Sequence, residues 1–387
     1  MRLTGAAQVL RFPEDGLPYL RHDRAGELTL EPGDVEVEGA DAEIDATGGA
    51  VLPGFVDCHT HLPFAGWRAE EYERKVTGVP YEEIARLGGG IASSARALAE
   101  TPDDAVLAQA EGLAAEMLRH GTTAFEGKTG YGLSREGEER AARLGRELAA
   151  RVSQPMRVTG LFAHAVPPGY TAASWMDEAE ALARGCDVDA LDIFVESVAF
   201  GLDELERMGA LAQELGLPLR AHVEQLSTMR SVPVALRHGA RSVDHLSVIH
   251  PDDVAPLAAS ETAAVLLPGA ELMNAEATAP GRALADAGAI CVLATDFNPG
   301  TSPIASMPVI VGLAVRRYGW TVREALLAST LNAAYVLDRP LGAADLVVLD
   351  GPAEHLPYRF GHDPVAVVVL RGEVAWVRPD QAWRVRA

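Results

Sequence analysis

The sequence predicts an α/β chain: a (β/α)8 TIM barrel with a small β-sandwich-like domain formed by both chain termini. Three observations lead there. The middle of the 387-residue chain alternates eight apolar, strand-like segments with amphipathic helical stretches. Both ends consist instead of short β-rich pieces punctuated by Gly and Asp. Histidines and an aspartate fall at the C-terminal ends of the middle segments, where barrels of this kind assemble their active sites.

In chain order, the first fifty residues hold pieces such as Leu28-Thr29-Leu30 and Val35-Glu36-Val37-Glu38, which read as small strands with turns. The strand-like segments of the middle cover residues 51–61, 122–128, 158–165, 191–197, 217–224, 242–246, 263–267 and 290–296. Helical stretches lie between most of them. The one at 103–120 has Asp103 near its start and Gly121 just after its end, the residue types that cap helices. Eight strands with helical crossovers imply a closed parallel barrel. An open doubly wound sheet is the alternative, and no phosphate-cradling Gly-rich turn supports it. Gly88-Gly89-Gly90 does not follow a strand and reads as a flexible loop. Residues 344–350 and 365–374 return to β pattern. Residues 1–50 and 340–387 are therefore expected to form one composite β-domain, with 51–339 as the barrel.

A hydrophobic share of 48% and a charged share of 23% are ordinary for a globular chain. The formal charge of −22, with no basic run against it, disfavours nucleic acid and anionic membranes and points to a small-molecule partner. Cys58, Cys186 and Cys291 are far apart and odd in number, so a disulfide framework is not expected and the compartment reads as reducing and cytoplasmic. No apolar run has the length of a signal-peptide core or a membrane span.

The sharpest local feature is Asp57-Cys58-His59-Thr60-His61, at the end of an apolar run. Residues two apart share one face of a strand, so His59 and His61 can meet one metal ion. Alone, such a pair also fits two hydrogen-bonded polar residues at a strand end. The other positions decide between the two readings. His164 ends the third strand, His222 the fifth, His245 the sixth and Asp296 the eighth, which a random scatter of eleven histidines would not produce. Asp296 can complete a ligand set with His59, His61 and His222, act as a base toward bound water, or do both. His245 either orients the attacking hydroxide or stabilises a developing oxyanion; the plainer reading is a residue that only holds the water. Lys128, Tyr131 and Arg68 are expected on loops at the same face. Arg68 in so acidic a chain suits a carboxylate, which guanidinium matches with two parallel hydrogen bonds, or else a surface ion pair.

Several strings are more specific than ligand positions. They include His59-Thr60-His61 with Arg68 seven residues later, Gly88-Gly89-Gly90-Ile91, Lys128-Thr129-Gly130-Tyr131-Gly132-Leu133 and Ala163-His164-Ala165-Val166-Pro167-Pro168. Others are Asp244-His245-Leu246, Leu266-Leu267-Pro268-Gly269, and Ala294-Thr295-Asp296-Phe297-Asn298-Pro299-Gly300-Thr301-Ser302. From about residue 51 to 335, and again at 356–361, the chain resembles the imidazolonepropionase family of metal-dependent amidohydrolases. The resemblance implies hydrolysis of 4-imidazolone-5-propanoate to N-formimidoyl-L-glutamate in histidine degradation. It places one Zn or Fe ion on His59, His61, His222 and Asp296, and the catalytic histidine at His245. It assigns substrate contacts to Arg68, Tyr131, His164, Gln225, Asn298, Gly300 and Thr301. A homodimer is the family's habit.

The chain also departs from the family. Two-metal relatives carry a carboxylated lysine on the fourth strand; residues 191–197 hold none, which favours a single ion. The position three after His222 is Gln225 rather than glutamate, the form some members share, and glutamine cannot take a proton. Strand alternation instead puts Glu224 on the His222 face, so Glu224, His245 and Asp296 are all candidates for the proton carrier. Trp67 places a bulky indole beside Arg68. The competing enzyme readings are a related mononuclear amidohydrolase acting on another cyclic amide, or a deaminase, against which Gln225 argues. A metal-free scaffold is the reading from a different class.

Overall fold

Two eight-stranded sheets carry the chain in the computed structural model, which describes residues 1–79, 83 and 88–386. The first is built from both ends. Its N-terminal strands are β1 (Arg2–Arg11), β2 (Thr29–Glu36), β3 (Glu43–Asp45) and β4 (Ala50–Pro53). The second sheet runs in sequence order through β5 (Phe55–Asp57), β6 (Thr122–Lys128), β7 (Met156–Ala163), β8 (Ala190–Val195), β9 (Leu219–Val223), β10 (Ser242–His245), β11 (Ala263–Leu266) and β12 (Ile290–Leu293). The chain then returns to the first sheet as β13 (Leu346–Leu349), β14 (Val365–Leu370), β15 (Glu373–Val377) and β16 (Val385–Arg386).

All seven neighbour pairs of the second sheet are parallel. Every residue of β6, β8, β9, β10, β11 and β12 is buried, because the barrel core covers one face and the helices the other. The seam between β5 and β12 is closed largely beyond the strand ends. Thr60 bridges Phe297, the His61 N–H donates to the Phe297 carbonyl at 2.9 Å, and Asp57 accepts from the Thr295 N–H and hydroxyl at 3.1 and 2.6 Å. A side-chain carboxylate here takes the place of ladder bonds. These parallel strands with helical crossovers are the (β/α)8 barrel expected from the alternation.

One expected strand divides. Residues 51–61 form no single strand: Ala50–Pro53 pairs with β1 and β13 in the terminal sheet, whereas Phe55–Asp57 pairs with β6 in the barrel. Hydrophobicity marks both pieces alike and does not say which sheet each joins. Among the described residues, the helices between β5 and β7 are α1 (Ala69–Val76), α2 (Ile91–Glu100), α3 (Asp103–Arg119) and α4 (Arg135–Arg151). Gly121 follows α3 at φ +87° as the cap pattern requires. Asp103 does not cap its own helix; its carboxylate pairs with Arg140 and Arg143 of α4. No helix among the described residues is long and apolar enough to cross a membrane.

Candidate metal centre and ligand pocket

Strand ends position the candidate residues. His59 and His61 follow β5, His164 follows β7, His222 lies in β9, His245 ends β10, and Asp296 lies three residues beyond β12. The backbone turns sharply there. Glu224, His245, Leu246 and Asp296 have φ of +54°, +78°, +62° and +54°, a region that costs residues other than glycine on the order of 1–3 kcal/mol each. Packing of the barrel holds that strain at the mouth.

His59, His61 and Asp296 offer ligand atoms within 4.8 Å of one another, and so do His59, His222 and His245. Asp296 Oδ1 lies 3.5 Å from His59 Nε2 and 3.2 Å from His61 Nε2. Nε2 of both His59 and His222 is buried without a hydrogen-bond partner among the described residues. Burial, reinforced by nearby positive charge, holds His59, His61, His164 and His245 well below the ordinary imidazole pKa, leaving the neutral rings a metal needs. Burial also pushes the Asp296 carboxyl up to about 7, against the pull of His222. Three imidazoles and a carboxylate converging in this way fit a zinc or iron ion. His245 shares the ligand-distance group, a proximity that strand spacing did not reveal.

The second nitrogens of two of these rings are held from below. Asp244 Oδ2 sits 2.6 Å from His59 Nδ1, and Asp192 Oδ1 sits 3.1 Å from His222 Nδ1. Such contacts fix ring orientation toward a metal. Lys128 lies beneath both, its Nζ 2.7 Å from Asp192 Oδ2, 2.8 Å from Glu126 Oε2 and 3.9 Å from Asp244 Oδ2. Burial raises the Asp192 pKa, but His222 and Lys128 outweigh it and hold the carboxyl well below its usual range. Lys128 was expected both at the end of the 122–128 strand and among the residues at the mouth; it is the last residue of β6 and 1% exposed, because alternation along that strand turns it into the barrel. Asp192, Glu126 and Arg220, which pairs with Glu126, complete this buried layer. A charge within each otherwise apolar strand was the available signal.

Above the centre is a cavity of about 320 Å³, the size of a small-molecule site. Arg68, Tyr131, His164, Gln225, Asn298 and Thr301 line it, together with His61, His222, His245 and Asp296. His164 Nδ1 is 3.0 Å from the Gly130 carbonyl. Gly130 has φ +110°, and a Cβ there would stand 2.8 Å from that ring. Buried Glu138 of α4 accepts N–H bonds from Gly130, Gly132 and Leu133, so it fixes the loop that carries Tyr131. Asn298 is spent on its own turn, accepting from the Gly300 and Thr301 N–H groups and donating to the Asp296 carbonyl and Thr301 Oγ1.

Arg68 is 6% exposed, with Nε and Nη1 buried and lacking hydrogen-bond partners among the described residues. Gly300 supports it by close approach: a Cβ there would fall 1.7 Å from Arg68 Nη2. Trp67, although adjacent in sequence, is 49% exposed and packs on Phe64 and Phe297 rather than lining the cavity.

Alternation placed Glu224 beside His222, and the structure corrects that geometry. The strand ends at Val223, and the left-handed turn at Glu224 sends its carboxylate to the Met229 and Ser231 N–H groups and the Ser231 hydroxyl, at 3.1, 2.7 and 2.8 Å. Gln225 faces the cavity instead. It meets Glu276, which no motif singled out and which lies with Lys75 and Asn274 on the cavity wall. Burial pushes the Glu276 carboxyl up to about 7.

A sequence profile described as the amidohydrolase family matches residues 50–375. Relatives named imidazolonepropionase align over most of the chain. The protein of Rubrobacter xylanophilus is 43% identical, over 85% of this chain and 82% of its own. That of Paracoccus denitrificans is 39% identical, over 97% of this chain and 100% of its own. Among solved structures, 5-methylcytosine deaminase from Klebsiella pneumoniae superimposes with a TM-score of 0.72 at 16% identity, covering 98% of both chains. An adenosine deaminase from Xanthomonas campestris with bound zinc gives 0.66 at 16% identity, over 97% of this chain and 92% of its own. At such identities these structures speak for the fold alone.

Proposed function

The chain belongs to the amidohydrolase family, and from that premise we propose that it hydrolyses 4-imidazolone-5-propanoate to N-formimidoyl-L-glutamate. The observation that carries this reading is a buried guanidinium, Arg68, facing the same small cavity as the three-histidine, one-aspartate centre. One end of the pocket suits a carboxylate and the other the ring amide.

His59, His61, His222 and Asp296 would hold one zinc or iron ion, which when bound supplies a nucleophile by lowering the pKa of its water. Arg68 pairs with the propanoate and fixes the ring against the centre. Asp296 accepts the proton of the attacking water on a carboxylate oxygen. His245 hydrogen-bonds the ring carbonyl oxygen as it gains charge. Tyr131 and His164 flank the substrate. Glu224, committed to the turn at residues 229–231, takes no part in proton transfer. The three well-separated free cysteines support a cytoplasmic setting.

The test is a spectrophotometric assay of freshly generated imidazolonepropionate with metal-depleted and reconstituted protein. Loss of the substrate signal only after reconstitution is expected. Equal rates in both preparations, or none in either, would overturn the reading.

A further inference from the structure

Lys75, Asn274, Glu276 and Gln225 form one chain of hydrogen bonds along the cavity wall. Lys75 Nζ donates to Asn274 Oδ1, Asn274 Nδ2 donates to Glu276 Oε1, and Gln225 Nε2 donates to the same oxygen, each at 2.9 Å. The chemistry of its members fixes the direction of every bond. An ammonium only donates, which turns the Asn274 NH2 group toward Glu276, and Glu276 Oε1 accepts from that amide and from the NH2 group of Gln225. Gln225 Oε1 is therefore turned away from Glu276. Glu276 Oε2 takes no bond in this chain and is buried without a hydrogen-bond partner among the described residues. A buried acceptor left unmade is costly, and a ligand that brings an N–H removes the cost.

We propose that Glu276 is a specificity-determining residue for the nitrogen edge of the substrate. Its Oε2, together with the Oε1 that Gln225 turns away from Glu276 on the same cavity wall, forms an acceptor-only wall that takes N–H donors and rejects carbonyl oxygens. The inference rests on the activity proposed above. The imidazolone ring carries nitrogen on that edge, and hydrolysis leaves a formimidoyl group that is a cationic N–H donor. An N-formyl group has nearly the same shape but presents an oxygen acceptor, which the wall opposes. The partners of Glu276 are neutral amides, and burial has pushed its carboxyl up to about 7; an amidinium in contact would draw it back to the ionised form.

The experiment compares inhibition of the metal-loaded enzyme by N-formimidoyl-L-glutamate and by N-formyl-L-glutamate. The wild-type protein should prefer the formimidoyl ligand by roughly tenfold or more, the scale of one charge-assisted hydrogen bond. Glu276→Gln keeps an oxygen for the two amides but offers an NH2 in place of Oε2, so the preference should fall toward parity. If that variant does not fold, Gln225→Leu removes the other acceptor and should lower the preference severalfold. An undiminished preference in the variant that folds overturns the inference, and so does an equal loss of both ligands, which would mark a bracing role. Wild-type protein that binds neither ligand overturns the activity itself, and this inference with it.

Discussion

Lys128 Nζ lies 2.7 Å from Asp192 Oδ2 and within 3.9 Å of Asp244 Oδ2, beneath the two histidines those carboxylates orient. One buried ammonium thus links His59 on one side of the barrel to His222 on the other. Lys128→Met would leave Asp192, Glu126 and Asp244 together without it. Breaking a buried charge set by removing one partner costs about 3–5 kcal/mol, and loosening carboxylates behind metal-bound histidines costs about tenfold to a hundredfold in metal affinity. Denaturant unfolding and equilibrium dialysis with zinc would show both losses. Unchanged metal affinity in a folded variant would show that the lysine does not act on the centre.

Arg68 and Gly300 should fail together. Arg68→Ala removes the guanidinium, and charged hydrogen bonds of this kind contribute about 1.5–3 kcal/mol. KM for the propanoate substrate should rise by about tenfold to a hundredfold, but far less for a ring analogue lacking the carboxylate. Gly300→Ala keeps the guanidinium but puts a Cβ 1.7 Å from its Nη2, so the arginine must move. Steady-state kinetics should show the same substrate-selective rise in KM. A general fall in kcat for both substrates would assign these residues to the fold of the loop instead.

Gln225→Glu is expected to harm the enzyme, although it puts a carboxylate three residues after His222, as the family pattern that the sequence resembles would have it. The new carboxylate would face Glu276 Oε1 where the amide now donates at 2.9 Å. Two carboxyls so close share a proton, and one of them is raised in pKa. The kcat/KM profile of the variant should hold up better at acidic pH, where the shared proton is retained, and fall below wild type as pH rises. A profile superimposable on wild type would show that the two side chains do not interact in the working enzyme.

These residues also show where reading the sequence stops. Strand β6 occupies residues 122–128 as expected, since a run buried on both faces is bounded sharply by Gly121 and the polar loop after Lys128. That His59 comes within ligand reach of His61 and Asp296, and also of His222, followed from their places at strand ends. The division of residues 51–61 between two sheets did not, because pairing partners lie hundreds of residues away, as in Ala50–Pro53 against β13. The alternation argument for Glu224 assumed that β9 continues, and a single positive φ ended it. Glu276 follows the short helix Pro268–Met273 in a segment with no period and no motif. Its role depends on contact with Gln225, 51 residues earlier.

Glu276 should also leave a mark on stability. Its pKa is raised from an ordinary 4.5 to about 7, chiefly by burial. An acid that binds its proton more tightly when folded stabilises the protein fully below about pH 4.5, and that contribution is lost as pH rises to about 7. Glu276→Gln has nothing to titrate in that window. Its melting temperature relative to wild type should therefore climb from pH 4.5 to 7 and level off above. Asp57 and Asp296 are likewise pushed to about 7 by burial, but both proteins keep them, so their slopes cancel in the difference. Differential scanning calorimetry of the two proteins across this range would decide the matter. A flat difference would mean that Glu276 is ionised throughout, held by a donor beyond the two amides that now contact it.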